Sequence, residues 1–126
     1  MKPFWISLSI LAAMALLLLL NMNYLSRVVE PLEISLSQAA EAAREGDWET
    51  AEKLTRQVKE TWEKHAEYFH YVQNHTDIDE ISVLLDESMA YIACQDTGEF
   101  VAANARALST MDKLRDLEQL AAGNLF

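Results

Sequence analysis

The 23 positions from Phe4 to Ser26 carry no charged side chain, and Phe4 to Leu20 are almost entirely apolar. A helix over that run is about 35 Å long, enough to cross a hydrocarbon core of about 30 Å once. Every other feature of the chain is read relative to that span. A cleaved secretory leader would end in small residues spaced Ala-x-Ala. Here the apolar run passes into Asn21, Met22, Asn23, Tyr24 and Leu25 instead. A buried helix of a soluble domain would be striped, whereas this one is apolar on all sides, as lipid requires. The reading is an uncleaved anchor over residues 1–29, followed by one extracytoplasmic domain over residues 30–126.

Charge sets the orientation. Lys2 and Arg27 flank the span almost symmetrically, but all 20 acidic residues and 8 of the 10 basic ones follow it. With no basic cluster to hold that part in the cytoplasm, the N-terminus is expected inside and the domain outside. An acidic domain lacks the basic face that nucleic acid or an anionic lipid surface would require, which argues against both as partners. A single cysteine, Cys94, rules out an internal disulfide.

Three glycines and two prolines leave little material for turns, and the apolar residues recur at helical spacing, so the fold class is all-α. Glu30-Pro31 predicts a kink or break, since proline lacks the backbone donor that an interior helical position uses. A short first helix then carries Leu32, Leu36, Ala39 and Ala43 inward and Glu33, Gln38, Glu41 and Glu45 outward, up to Gly46. Gly46 is a C-terminal cap, and Asp47 caps the next start. The second helix runs from Trp48 to about Gln73 with Trp48, Ala51, Leu54, Val58, Trp62, Ala66, Phe69 and Val72 on one stripe. Asn74 to Asp77 ends it, and Thr76 with Asp79, or Asp77 with Glu80, fits a capping box. The third helix turns Ile78, Ile81, Leu85, Met89 and Ile92 inward and ends near Gln95. The fourth, from about Gly98 to Ala122, offers Phe100 or Val101, Asn104, Leu108, Met111, Leu114, Leu117 and Ala121, with Gly123-Asn124 as its stop. Together these give an N-terminal transmembrane helix followed by a small antiparallel four-helix bundle whose first helix is short.

Gly46-Asp47-Trp48 with Ala51, and Gly98-Glu99-Phe100 with Ala103, repeat at an offset of 52 residues. The first also resembles the inter-helix turn of tetratricopeptide repeats, though Ser35 and Gln38 stand where that repeat has small and aromatic residues, and no 34-residue period follows. Both turns read as one physical solution to a tight helix reversal.

Chemistry has few footholds. His65, His70 and His75 are spaced by five, about 140° apart on a helix, so they cannot share a face as metal ligands at i and i+4 do. His75 with Asp79 has the right separation but straddles an expected helix boundary. Asp77, Asp79, Glu80, Asp86 and Glu87 read as solvated acidic faces. Cys94, beside Asp96, has no basic neighbour to activate it. Trp48, Trp62, Tyr68 and Tyr71 read as core and rim aromatics. No catalytic residue, cofactor-binding residue or metal ligand is assigned, and no cofactor is expected.

An N-terminal anchor, Gly-Asp-Trp-x-x-Ala at 46–51, Trp62, His75-Thr76-Asp77-Ile78-Asp79, Glu118 and the closing Asn124-Leu125-Phe126 together resemble an uncharacterised family of small membrane-anchored helical proteins from Gram-positive, often spore-forming, bacteria. The Leu-Phe ending departs from that family's usual Ile after Asn. The resemblance implies a single-pass bacterial protein with an extracytoplasmic helical domain acting beside another membrane protein, and it supplies no activity or site. The expected function is a non-enzymatic, membrane-tethered interaction or accessory module with a protein partner. The alternative is an anchored sensor binding a small ligand or cation in a pocket lined by His75, Tyr71 and Asp79.

Overall fold

The computed structural model describes residues 2–72 and 75–125, with side chains described for 2–20, 27–67 and 76–116. Four helices follow one another: α1 (Lys2–Arg44), α2 (Trp48–Val72), α3 (His75–Cys94) and α4 (Thr97–Leu125). Among the described residues there is no strand. The chain is an all-helical bundle in which α1 packs on α2 and α4, and α3 packs on α2 and α4. Among the described residues α1 does not pack on α3, nor α2 on α4, so each of these pairs stands diagonally across the bundle and the four helices surround one core.

The break expected at Glu30-Pro31 does not occur. Pro31 lies inside α1, which runs for 43 residues, about 65 Å, and supplies both the apolar span and one wall of the bundle. An interior proline costs a helix about 3 kcal/mol. Here Pro31 is exposed, while Val29 and Leu32 on either side of it are buried in the core, and their burial offsets that cost. The short first helix expected after Pro31 is thus the second half of one long rod, and that rod crosses the 29/30 boundary unbroken.

Residues 2–20 form the one described helical segment long and apolar enough to span a membrane, and none of it is buried within the molecule. The bundle core begins at Val28 and Val29 and divides into two clusters. The one nearer the span holds Val29, Leu32, Leu36, Val58, Trp62, Ile78, Ile81, Leu84, Leu85, Ala107, Met111 and Leu114. The far one is built largely of alanine: Ala39, Ala42, Ala43 and Ala51 around Ile92 and Phe100, with Trp48 and Met89 at its edge. Small side chains there let the helices approach closely, and the Trp48 and Phe100 rings meet edge to face at 5.9 Å.

Two turns close the far end, and both are Schellman caps. In the first, Gly46 N–H donates to Ala43 O (3.0 Å) and Asp47 N–H to Ala42 O (2.8 Å), with Gly46 at φ 81°. In the second, Gln95 N–H donates to Ile92 O (3.0 Å) and Asp96 N–H to Tyr91 O (3.0 Å), with Gln95 at φ 52°. Each cap is followed by an aspartate that accepts from the helix it opens: Thr50 N–H donates to Asp47 Oδ1 and Glu99 N–H to Asp96 Oδ1, both at 3.2 Å. The structural repeat therefore pairs Gly46 with Gln95 and Asp47 with Asp96. The expected offset of 52, built on Gly98, is wrong because Gly98 sits in the first turn of α4 and caps nothing. At the other ends, α3 begins at His75, which puts Thr76 and Asp77 in its first turn, and α4 continues through Gly123 and Asn124 to Leu125.

Candidate functional site

Trp62 is fully buried, and its indole N–H donates to Ser82 Oγ on α3 at 3.0 Å; that hydroxyl donates onward to the Ile78 carbonyl at 3.2 Å. The ring is a core element tied across two helices, as the stripe Val58, Trp62, Ala66 implies. Phe69, on the same stripe, lies outside the described side chains.

The carboxylates disperse instead of converging. Asp86 pairs with Lys59 on α2 (2.9 Å), Glu87 lies 3.6 Å from Arg106 on α4, and Asp79 and Glu80 are exposed. The Lys59 ammonium is held above its ordinary pKa, chiefly by its hydrogen bond to Asp86. Asp77 is the exception, at 4% exposure, with Oδ1 3.5 Å from Lys113 and Oδ2 without a hydrogen-bond partner. Among the described residues no group of three metal-ligating side chains comes together. Of the pocket expected from His75, Tyr71 and Asp79, the side chains of His75 and Tyr71 lie outside the described residues, as do those of His70 and Tyr68. Cys94 is exposed beside the second turn.

The sequence pattern places Glu33 on the outer face, but it is half-buried against Arg115 of α4 at 3.2 Å. Burial raises its carboxyl above the ordinary range, the nearby Arg115 charge opposes the rise, and Asp112 and Glu30 add to it. Desolvation thus outweighs the ion pair. Asp47 moves the other way, held below the ordinary range first by the Thr50 hydroxyl and then by the Thr50 backbone N–H.

Inside the bundle, Thr55 on α2, Ser88 on α3 and Asn104 on α4 are buried. The Ser88 hydroxyl donates to the Leu84 carbonyl of its own helix, and Asn104 Nδ2 donates to the Leu36 carbonyl of α1 at 2.9 Å. Thr55 Oγ1 and Asn104 Oδ1 have no hydrogen-bond partner. Asn104 was legible as an inward position; Thr55 and Ser88 fall beside the apolar stripes, and a hydroxyl amid helical polar residues gives no signal of burial.

Grooves on the described surface include the following three. One, of about 490 Å³, lies between α1 and α2 just beyond the span, with Val28, Leu32 and Val58 as its apolar floor and Arg27, Thr61 and His65 on its walls. Another, of about 520 Å³, sits at the far end beside Trp48, Met89 and Ile92, with Glu49 and Glu52 on its rim. The third, of about 370 Å³, runs along α2 among Glu49, Glu52, Arg56 and Glu60.

The profile of a domain of unknown function, DUF4363, matches residues 19–125. The chain belongs to the DUF4363 family. The match reaches back into the last residues of the apolar run, so the DUF4363 unit includes the whole length of α1 from the end of the span into the bundle. No curated protein and no solved structure is found to match the chain.

Proposed function

We infer that this DUF4363 protein is a non-enzymatic, membrane-tethered accessory module. Residues 2–20 anchor it with the N-terminus in the cytoplasm, and an acidic, antiparallel four-helix bundle is held immediately outside for a protein partner, another membrane protein among the candidates. The observation that carries this reading is the unbroken α1. A helix that continues from the apolar span into the core, with Val29 and Leu32 buried on either side of Pro31, joins the bundle to the membrane without an intervening loop. A loop-free mount of that kind suits presentation of a surface to a neighbour in the same membrane.

The chain carries its own topological probe, because its single cysteine, Cys94, is exposed at the end of the bundle away from the span. A membrane-impermeant maleimide applied to intact cells is expected to label it. Labelling only after lysis overturns the outward placement. For the partner, a photo-crosslinking residue at Ile34 or Val83, the large apolar side chains that the bundle leaves exposed among the described residues, is expected to give a discrete adduct in native membranes. Adducts at neither position count against presentation by these two faces.

A further inference from the structure

The groove between α1 and α2 differs from the other two in charge. In a chain with a net charge of −10, none of its lining residues is acidic, whereas Glu49 and Glu52 line both of the others. Arg27 forms one end of it, and Ser35, Gln57, Thr61 and His65 add polar donors around the apolar floor. Arg27 is exposed and makes no ion pair among the described residues, although acidic side chains dominate the rest of the surface.

Position sharpens the point. Arg27 is the first charged residue after the uncharged run that ends at Ser26, so on an anchored chain it stands where hydrocarbon gives way to headgroups. A guanidinium presents a planar fork of donors that matches two oxygens of a phosphate. An arginine alone at that height could reach any passing headgroup. What the structure adds is a facing wall on α2, with hydroxyl and imidazole groups, and a floor of valine and leucine.

We propose that this groove seats the phosphodiester headgroup of one anionic phospholipid from the membrane that α1 crosses, with Arg27 as the charge partner and Thr61 as a donor from α2. The proposal rests on the anchored reading above. The acidic bundle repels an anionic surface as a whole, so one acid-free notch beside the span confines the contact to a single lipid and fixes the face that α1 and α2 turn to the bilayer. Free phosphate shares the headgroup's chemistry but gains nothing from the apolar floor.

The test uses the full-length chain, purified in mild detergent with phosphatidylglycerol and phosphatidylcholine at equal mole fraction and measured by native mass spectrometry. One phosphatidylglycerol is expected to stay bound in preference to phosphatidylcholine. Arg27→Gln is expected to weaken retention about tenfold, the size of one lost charge-assisted contact. Because Arg27 also flanks the span, Thr61→Val serves as a second variant without a part in anchoring, expected to weaken retention several-fold, while Lys53→Gln in the acidic groove leaves it unchanged. Equal retention of both lipids, unaltered retention in both groove variants, or displacement by millimolar inorganic phosphate overturns the proposal. Alkaline carbonate extraction of the membranes separates the two levels. A chain released into the soluble fraction overturns the anchor and the lipid site together, and a chain that stays in the membrane without headgroup preference overturns the lipid site alone.

Discussion

The two ends of the bundle are stabilised by different means. Near the span the core is made of large side chains, with Trp62, Leu36, Ile78, Ile81, Leu85, Met111 and Leu114 all fully buried. At the far end alanines dominate, only Ile92 and Phe100 are large among the buried residues, and two Schellman turns with aspartate caps lock the helix reversals. Between them lie the buried Thr55, Ser88 and Asn104. Burial of apolar area contributes roughly 25 cal/mol per Å², so the near end draws its stability from side-chain volume, while the far end depends more on backbone geometry. Volume-reducing substitutions therefore cost most near the span, and backbone-directed ones at the far turns.

The largest effect is expected at Trp62. Truncation to Ala empties the centre of the near cluster and leaves Ser82 Oγ without its indole donor, at a cost of about 3 to 5 kcal/mol. Trp62→Phe keeps most of the volume and loses the hydrogen bond, so it should cost much less. Chemical denaturation of the full chain in detergent checks both. A Phe variant as damaged as the Ala variant would mean that the link to Ser82, and not volume, holds the near end.

The boundary between the ends is the next place to look. Asn104 spends its amide on the Leu36 carbonyl, but its own Oδ1 is buried without a partner, and an unsatisfied buried polar atom costs about 1 to 3 kcal/mol. Leu36 O belongs to the interior of α1 and keeps its helical acceptor role when the side chain is changed. Asn104→Leu should therefore gain about 1 kcal/mol in the same assay. A loss of that size instead would show that the cross-helix bond contributes more than the orphaned oxygen costs. The retained asparagine then reads as a device for register between α1 and α4, since one side-chain amide can meet the Leu36 carbonyl only when the two helices are correctly aligned.

Much of this pattern was legible before the structure. Leu32, Leu36, Ala39 and Ala43 on α1, Ala51, Val58 and Trp62 on α2, Ile78, Ile81, Leu85 and Ile92 on α3, and Asn104, Met111 and Leu114 on α4 are all buried as the 3.6-residue period implies. Helical periodicity reports on faces, and faces decide burial. What it cannot report is a contest between local and tertiary terms. Pro31 signals a break locally and is overruled by Val29 and Leu32, which pack on both sides of it. Gln95 takes the left-handed cap position that Gly46 holds in the first turn, and no turn signal in the residue itself announces it. The groove was equally hidden, since Arg27, Thr61 and His65 come from two helices that only packing brings side by side.

At the far end the first turn is the more sensitive. Gly46 has φ 81°, yet a Cβ built there meets nothing within 4 Å. The cost of Gly46→Ala is therefore purely conformational, about 1 kcal/mol for placing an L-residue in the left-handed region. A shift in thermal melting with no change in helix content by circular dichroism is the expected result. A cost several times larger would mean that the turn has no room to accommodate even this strain and that the alanine end is the stiffer of the two.

The smallest effect, and the sharpest test of the comparison, is at Gln95. Its backbone sits at φ 52°, the same left-handed cap position as Gly46, and its two capping hydrogen bonds match those of the first turn to within 0.2 Å. An exposed glutamine holding that conformation stores strain that the rest of the fold must offset. Replacing it with glycine removes the strain, at about 1 to 2 kcal/mol for an L-residue in that region, but adds backbone entropy to the unfolded chain of about 0.5 to 1 kcal/mol. Gln95→Gly should accordingly be stabilising by about 0.5 kcal/mol, while Gln95→Ala, which changes neither term, should be close to neutral. Thermal melts of the two variants beside Gly46→Ala give opposite signs if the turns are equivalent in geometry and differ only in the residue that fills them. A destabilised Gln95→Gly would show that the glutamine side chain itself contributes to the turn, and that the two caps, alike in hydrogen bonding, are held by different forces.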